Sequence, residues 1–356
     1  MIRLGIAGMG YGANVHLPAF MDHPDVVVTA LADGGSGRAR KIADELGLNA
    51  QVFNRGDDLA RWDGVDAVSI AVPALHQSEL VRAALASGKH VLCEKPFGTG
   101  LKDISGLDRI AGENGLTTAL GYEFRYDTAL RGMIELVRAG RIGRVSRIDV
   151  TWLVATGLNP ARTWSWRHDI DSAGGVLIDW CCHVIDYARA MTGESIRELW
   201  CSTATRVPQR PDGLGGMKPV TAPDSCDMHC IFENGTAGRF VVSNAEPAGI
   251  GHRVEVYGDK GRVRFHHAPP FTSDTRQLTL QLAGEAETEV TVADGGDSAD
   301  KRVDGFRQLV ADFVSAVSGK DRSPLLPSFA DGEAVWRVLD AARISIAERR
   351  MVSVRN

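Results

Sequence analysis

Residues 2–13 read Ile2-Arg3-Leu4-Gly5-Ile6-Ala7-Gly8-Met9-Gly10-Tyr11-Gly12-Ala13. A β-type run ends in glycine, and a helical pattern, Asn14–Met21, follows at once. The glycines match G-x-G-x-x-[GA], with Ala13 in the last place. Such a loop is weak evidence alone, but between a strand and a helix it marks the opening of a βαβ unit. The next residues repeat the alternation. Further β-type runs are Val26–Asp33, Val65–Val72, His90–Cys93 and Thr117–Gly121, and helical spacing appears at Gly37–Leu46, Gln77–Ser87 and Leu101–Asn114. Strands alternating with helices predict a parallel sheet wound on both sides, and near-continuous apolar strands fit a sheet covered on both faces.

The pattern changes after about residue 122. A helix over Thr128–Ala139 leads to a strand over Val145–Val154, then a polar, Trp-containing loop over Thr156–Ser172. A further helix carries Ile178-Asp179-Trp180-Cys181-Cys182-His183-Val184-Ile185-Asp186. From Ser195 to about Val292, β-type runs alternate with turns such as Glu233-Asn234-Gly235, and Val207–Pro223 reads as a long loop. Helices over Val303–Val317 and Asp331–Arg349 close the chain. The predicted fold class is α/β, with a Rossmann-type doubly wound parallel sheet in residues 1–122. Residues 123–356 form an α+β domain on an open, mainly antiparallel sheet, with its closing helices free to pack back on the first domain.

The chain has 356 residues and a net charge of −5. That length suits two domains, and no dense basic run suggests nucleic acid or a membrane surface. No apolar stretch reaches the roughly 18 residues of a spanning helix, and no signal-peptide pattern precedes the first strand, so a cytoplasmic location is expected. The six cysteines are too few for a disulfide framework in a chain this long and read as reduced, buried thiols. Cys181 and Cys182 point to different sides of a helix. The later run Cys226-Asp227-Met228-His229-Cys230 lacks a C-x2-C spacing, so no metal site is expected.

The glycine loop calls for a dinucleotide. Gly8 allows a tight turn, Gly10 lets backbone N–H groups approach a pyrophosphate, and Ala13 permits close helix–strand packing. Asp33, at the end of the second run, is placed to accept hydrogen bonds from a ribose and to repel a 2′-phosphate. This favours NAD over NADP, although nearby Arg38 could meet a phosphate.

Three more elements carry a family resemblance. Ala71-Val72-Pro73-Ala74-Leu75-His76 follows the third run, Glu94-Lys95-Pro96 follows the fourth, and Gly174-Gly175-Val176-Leu177-Ile178-Asp179 precedes His183 and Asp186. With the glycine loop, these resemble the Gfo/Idh/MocA family of nicotinamide-dependent oxidoreductases over essentially the whole chain. The resemblance implies a tightly held NAD or NADP, with Gly8, Gly10, Tyr11, Gly12, Ala13, Asp33, Arg38, Pro73, His76, Glu94 and Lys95 around it. It implies a sugar, inositol, sugar acid or related polyol as substrate and a homodimer or homotetramer. It also implies a cis Lys95–Pro96 bond and a catalytic group of Lys95, Asp179 and His183.

These residue types fit the oxidation of a CH–OH group. His183 suits a general base because the unperturbed pKa of a histidine lies near working pH. Asp179 lies four residues earlier, on the same face of a continuous helix, where it could orient the imidazole or bind substrate. Lys95 could polarise the substrate oxygen. Arg125, Trp166 and Arg167 are candidates to contact a polyhydroxylated or acidic substrate, or alternatively pack and pair locally. Glu94 could position Lys95 or be solvated, and His16 could face the cofactor or make a capping contact. Two rival functions stay open, a redox-neutral NAD-dependent glycosidase or epimerase and a non-catalytic nucleotide-binding sensor.

Overall fold

The computed structural model describes residues 1–271, 275–292 and 301–355. The chain divides into two compact units, one of Met1–Tyr126 with Gly295–Glu333, the other of Asp127–Asp294 with Ala334–Asn356.

The first unit begins with β1 (Ile2–Ala7), a π-helical turn over Gly12–His16, α1 (Leu17–Met21), β2 (Val26–Ala32) and α2 (Arg38–Glu45). It continues through β3 (Gln51–Phe53), α3 (Gly56–Arg61), β4 (Ala67–Ile70), α4 (Gln77–Ala86), β5 (His90–Cys93), α5 (Leu101–Ile104), α6 (Leu107–Glu113) and β6 (Thr118–Leu120). The six strands lie in the order β3-β2-β1-β4-β5-β6, and every pairing is parallel. β1 therefore sits at the point where the winding reverses, and its C-terminal end is where an open α/β sheet offers a crevice. All four β4 residues are buried, as are three of the four in β5, which accounts for their unbroken apolar character. The predicted helix over Leu101–Asn114 is divided, because Ser105 turns extended and Gly106 takes a φ of 75°.

The second unit opens with α7 (Thr128–Arg138). Asp127 caps it by accepting from the N–H groups of Ala129 and Leu130, both at 3.2 Å, a cap of the kind that contributes about 1 kcal/mol. Its buried residues Ala129, Leu130, Met133, Ile134 and Val137 form one helical stripe. Then come β7 (Val145–Leu153), α8 (Val176–Asp179), α9 (Cys181–Thr192), β8 (Ile196–Ala204), β9 (Gln209–Pro211), β10 (Met217–Pro219), β11 (Ser225–Phe232) and β12 (Ala237–Ser243). They are followed by β13 (Gly251–Gly258), β14 (Gly261–His267), β15 (Arg276–Leu282) and β16 (Thr288–Glu289). The closing elements are α10 (Lys301–Val317), which falls in the first unit, α11 (Phe329–Glu348) and β17 (Val352–Ser353).

Nine strands form one sheet in the order β16-β15-β14-β13-β7-β12-β11-β8-β17. Only β7 and β12 run parallel, and β11–β12 and β13–β14 are hairpins at the turns the sequence marks. Burial alternates along β11 and β13, the signature of a sheet whose two faces differ. The stretch 207–223, expected as loop, folds back on itself as the two-stranded ribbon β9–β10. Among the described residues, no helix is long and apolar enough to cross a membrane.

Candidate active site

The glycine loop leaves the C-terminal end of β1. Gly8 has a φ of 102°, and a Cβ there would collide with the backbone of Ala71, so only glycine fits. Space around Gly10 is open, with no atom of the described residues beyond its own chain neighbours within 4 Å of where a side chain would start. Gly12 is buried, and a Cβ there would come within 3.2 Å of Ala71 Cβ, whereas Ala13 is partly exposed. Close helix–strand packing therefore belongs to Gly12 rather than Ala13, because the helix starts earlier than predicted, in a π turn. A cradle that is closed beneath Gly8 and Gly12 and open above Gly10 fits a dinucleotide pyrophosphate. Tyr11 stands beside it, with the Arg302 guanidinium 5.2 Å from its ring centroid.

Asp33 follows β2. Its carboxylate accepts from the Gly35 N–H, the Ser36 hydroxyl and the Ala39 N–H, each at 2.9 Å. These bonds hold its pKa below the ordinary carboxylate value despite some desolvation, so a fixed negative charge stands at the β2 exit. Arg38 opens α2 with its side chain exposed. Pro73 and His76 lie exposed on the short turn after β4. Behind them Gln77, for which no local sequence signal exists, ties two loops together. Its amide donates to Val72 O at 3.2 Å and accepts from Gly98 N–H at 2.8 Å.

Glu94 and Lys95 follow β5, and the Lys95–Pro96 peptide is cis. Glu94 is buried rather than solvated. Its Oε1 lies 3.0 Å from His16 Nε2, and His16 Nδ1 lies 2.7 Å from Ser69 Oγ. Burial pushes the His16 pKa down to about 3, so the ring is neutral. Nε2–H then donates to the carboxylate, and Nδ1 accepts from the Ser69 hydroxyl. The ring also stacks on Phe306 with centroids 4.3 Å apart. His16 thus links the exits of β4 and β5. Arg125, considered for substrate contact, is 2% exposed. It pairs with Asp331 at 3.4 Å and donates to Leu325 O, an internal ion pair.

The second unit carries Asp179 and His183. The helix expected to hold both is broken at Trp180, whose backbone (φ −113°, ψ −46°) separates α8 from α9. Asp179 therefore ends one helix while His183 sits in the first turn of the next. The Trp180 ring is drawn against Trp152, with centroids 4.5 Å apart. Asp179 lies 3.7 Å from Arg167 Nε, and the Arg167 guanidinium rests 4.3 Å from the Trp166 ring centroid. Arg167 is exposed and Asp179 largely covered. The loop bearing them is tied to the β9–β10 ribbon by Trp164, which donates to Pro219 O at 3.1 Å.

His183 and Asp186 are both buried on α9. One turn on, the Tyr187 hydroxyl lies 3.0 Å from His252 Nε2, and His252 stacks on Trp152 at 4.5 Å. Burial lowers the His252 pKa to about 3. The six cysteines are buried and none is in a disulfide, and Cys201 Sγ lies 3.6 Å from Cys226 Sγ. Among the described residues, no three His, Cys, Asp or Glu side chains are grouped as a metal site would need.

Two family descriptions match the chain. One, the oxidoreductase family with an NAD-binding Rossmann fold, covers residues 2–122, and the other, the GFO/IDH/MocA C-terminal domain, covers residues 130–264. Myo-inositol 2-dehydrogenase of Thermotoga maritima is 25% identical, with 99% of this chain and 98% of that one aligned. Levoglucosan dehydrogenase of Pseudarthrobacter phenanthrenivorans is 27% identical over 99% and 98% of the two chains. The crystal structure of an oxidoreductase domain protein from Kribbella flavida superposes with a TM-score of 0.87 at 26% identity, over the full length of both chains.

Proposed function

The chain belongs to the Gfo/Idh/MocA oxidoreductase family, with an NAD-binding Rossmann fold in residues 2–122, and from that premise we propose that it moves a hydride between NAD and a secondary hydroxyl, or the matching ketone, of a sugar, cyclitol or related polyol. The observation that carries this reading is the gathering of the glycine loop, Asp33 and Lys95 at the carboxyl ends of β1, β2 and β5. An open α/β sheet places ligands there, and a lysine at that edge can polarise a substrate oxygen. The names of the two dehydrogenase relatives support a polyol substrate.

In this proposal the backbone N–H groups of Gly8–Ala13 hold the pyrophosphate, and the fixed charge of Asp33 accepts from the ribose hydroxyls. Tyr11, Pro73, His76 and Glu94 border the remainder, and Arg38 is the side chain a 2′-phosphate would meet. The bound nicotinamide supplies a hydride acceptor. His183 takes the proton of the substrate hydroxyl on an imidazole nitrogen as the hydride departs. The Lys95 ammonium donates to the same oxygen and stabilises its developing charge. Asp179 accepts from substrate hydroxyls, and Arg167, braced on Trp166, donates to them.

The test is nicotinamide reduction against a panel of sugars, inositols and sugar acids. Turnover of one of them, lost in Lys95→Ala and His183→Ala proteins that still fold, is the expected result. Protein that binds NAD but reduces none, in either direction, would refute the reading.

A further inference from the structure

The exits of β4, β5 and β6 carry three polar residues of the first unit, of which Ser69 and Glu94 are buried and Glu123 is partly exposed. Ser69 ends the hydrogen-bonded line through His16 to Glu94. Glu94 in turn lies against the β6 exit, since a Cβ at Gly121 would collide with Glu94 Oε1. Glycine at 121 is what lets the carboxylate approach so closely. Two residues on stands Glu123, at the start of a short 3-10 turn. Its Oε2 is buried and has no hydrogen-bond partner among the described residues. The neutral His16 ring bonds Glu94 without cancelling its charge.

Two carboxyl groups in one water-poor place do not both ionise readily. The charged and titratable groups acting on Glu123 are Glu94 and Lys95 after β5 and Arg302 on α10, with His16 behind Glu94. Burial first, and the Glu94 charge second, push the Glu123 carboxyl up to about 8, while Lys95 and Arg302 pull the other way. An unpaired oxygen out of water is also costly as a carboxylate and much less so as a neutral acid.

We propose that Glu123 is a positioning residue that carries a proton at neutral pH, leaves the Lys95 ammonium to the substrate oxygen, and draws that ammonium to itself once the proton is lost. Glu123 and Lys95 thus form an alkaline brake on the reaction. Deprotonation breaks only the carboxyl O–H bond, and the proton passes to solvent. The inference rests on the role of Lys95 proposed above, so two of its readouts do not depend on turnover.

The experiment compares wild type with Glu123→Gln, which preserves the neutral shape and cannot ionise. Infrared difference spectra of the full chain between about pH 6.5 and about pH 10 should show a protonated carboxyl band that disappears on raising the pH and is absent from Glu123→Gln. The 15N signal of Lys95 Nζ should move over the same window in wild type and not in the variant. With an active polyol, wild-type kcat should fall about tenfold one pH unit above the Glu123 midpoint, while Glu123→Gln keeps its plateau and stays within about twofold of wild type at neutral pH.

A wild type without the protonated band at neutral pH overturns the proposal. So does a Lys95 signal, or an alkaline limb of kcat, that is the same in both proteins. If no polyol is turned over, the proposed activity fails, and the infrared and nitrogen signals still decide the pairing of Glu123 with Lys95.

Discussion

Acid should destabilise this protein through two buried histidines, and the size of the effect follows from their burial. His16 and His252 have no exposed ring surface to speak of, and each pKa falls from 6.5 to about 3. A depressed pKa means that the unfolded chain binds protons which the fold does not. The stabilising contribution is therefore complete above the unfolded value and is lost as pH falls towards the folded one. At about pH 4.5 the unfolded imidazole is protonated and the folded one is still neutral, some two units below the unfolded pKa. At about 1.4 kcal/mol per unit, each site costs about 2.5 kcal/mol relative to neutral pH. His16→Gln keeps a donor for Glu94 and an acceptor for Ser69 without a titrating ring, and His252→Gln keeps a partner for the Tyr187 hydroxyl. Urea unfolding followed from about pH 7 to about pH 4.5 should show each variant losing about 2.5 kcal/mol less than wild type over that range, with the two savings additive in the double variant. Other acid-sensitive groups are common to all four proteins and cancel. Stability curves of wild type and variants that run parallel with pH would refute the assignment of neutral, buried imidazoles.

Other expectations concern the cofactor and the chemistry. His183→Ala and Lys95→Ala should each lower turnover by about two orders of magnitude with NAD affinity retained, measured by steady-state kinetics beside cofactor titration. Asp33→Ala should shift the NADP-to-NAD preference towards NADP and, because the same carboxylate bonds the Ala39 N–H at the start of α2, lower stability by about 1 kcal/mol. An unchanged preference ratio would remove Asp33 from cofactor choice. Gly8→Ala places a side chain at a φ of 102° against the Ala71 backbone and should cost about 1–3 kcal/mol in thermal unfolding, with NAD binding weakened. Glu123→Gln should gain stability over wild type as pH rises from about 4.5 to about 8. The raised carboxyl contributes fully only below its unfolded pKa and loses that contribution through its folded one.

Long, strongly patterned segments are legible in the sequence. The parallel strands of the first unit are continuous apolar runs, and the hairpins of the second are announced by Asn-Gly and Gly-Asp-Lys-Gly turns. β3 and α3 leave no such pattern, because Gln51–Phe53 is a three-residue edge strand with no fully buried side chain to write an apolar signal. The break at Trp180 was hidden because Ile178–Asp186 keeps helical apolar spacing across it, while the deviation depends on an aromatic partner 28 residues earlier, Trp152. The bonds of His16 were equally hidden, since Ser69 and Glu94 lie 53 and 78 positions away. Local pattern reports periodicity and turn chemistry. It carries nothing about which polar groups a tertiary fold brings into contact, and which residue of the loop is buried against the sheet, Gly12 rather than Ala13, is decided by where the helix starts.

The most direct measurement of the central claim is the absorbance of reduced nicotinamide formed from NAD and a polyol panel by wild type, Lys95→Ala and His183→Ala side by side. Turnover of at least one sugar or cyclitol by wild type, reduced about a hundredfold or more in both variants with folding and NAD binding intact, is the predicted outcome. Wild-type rates in both variants would contradict it.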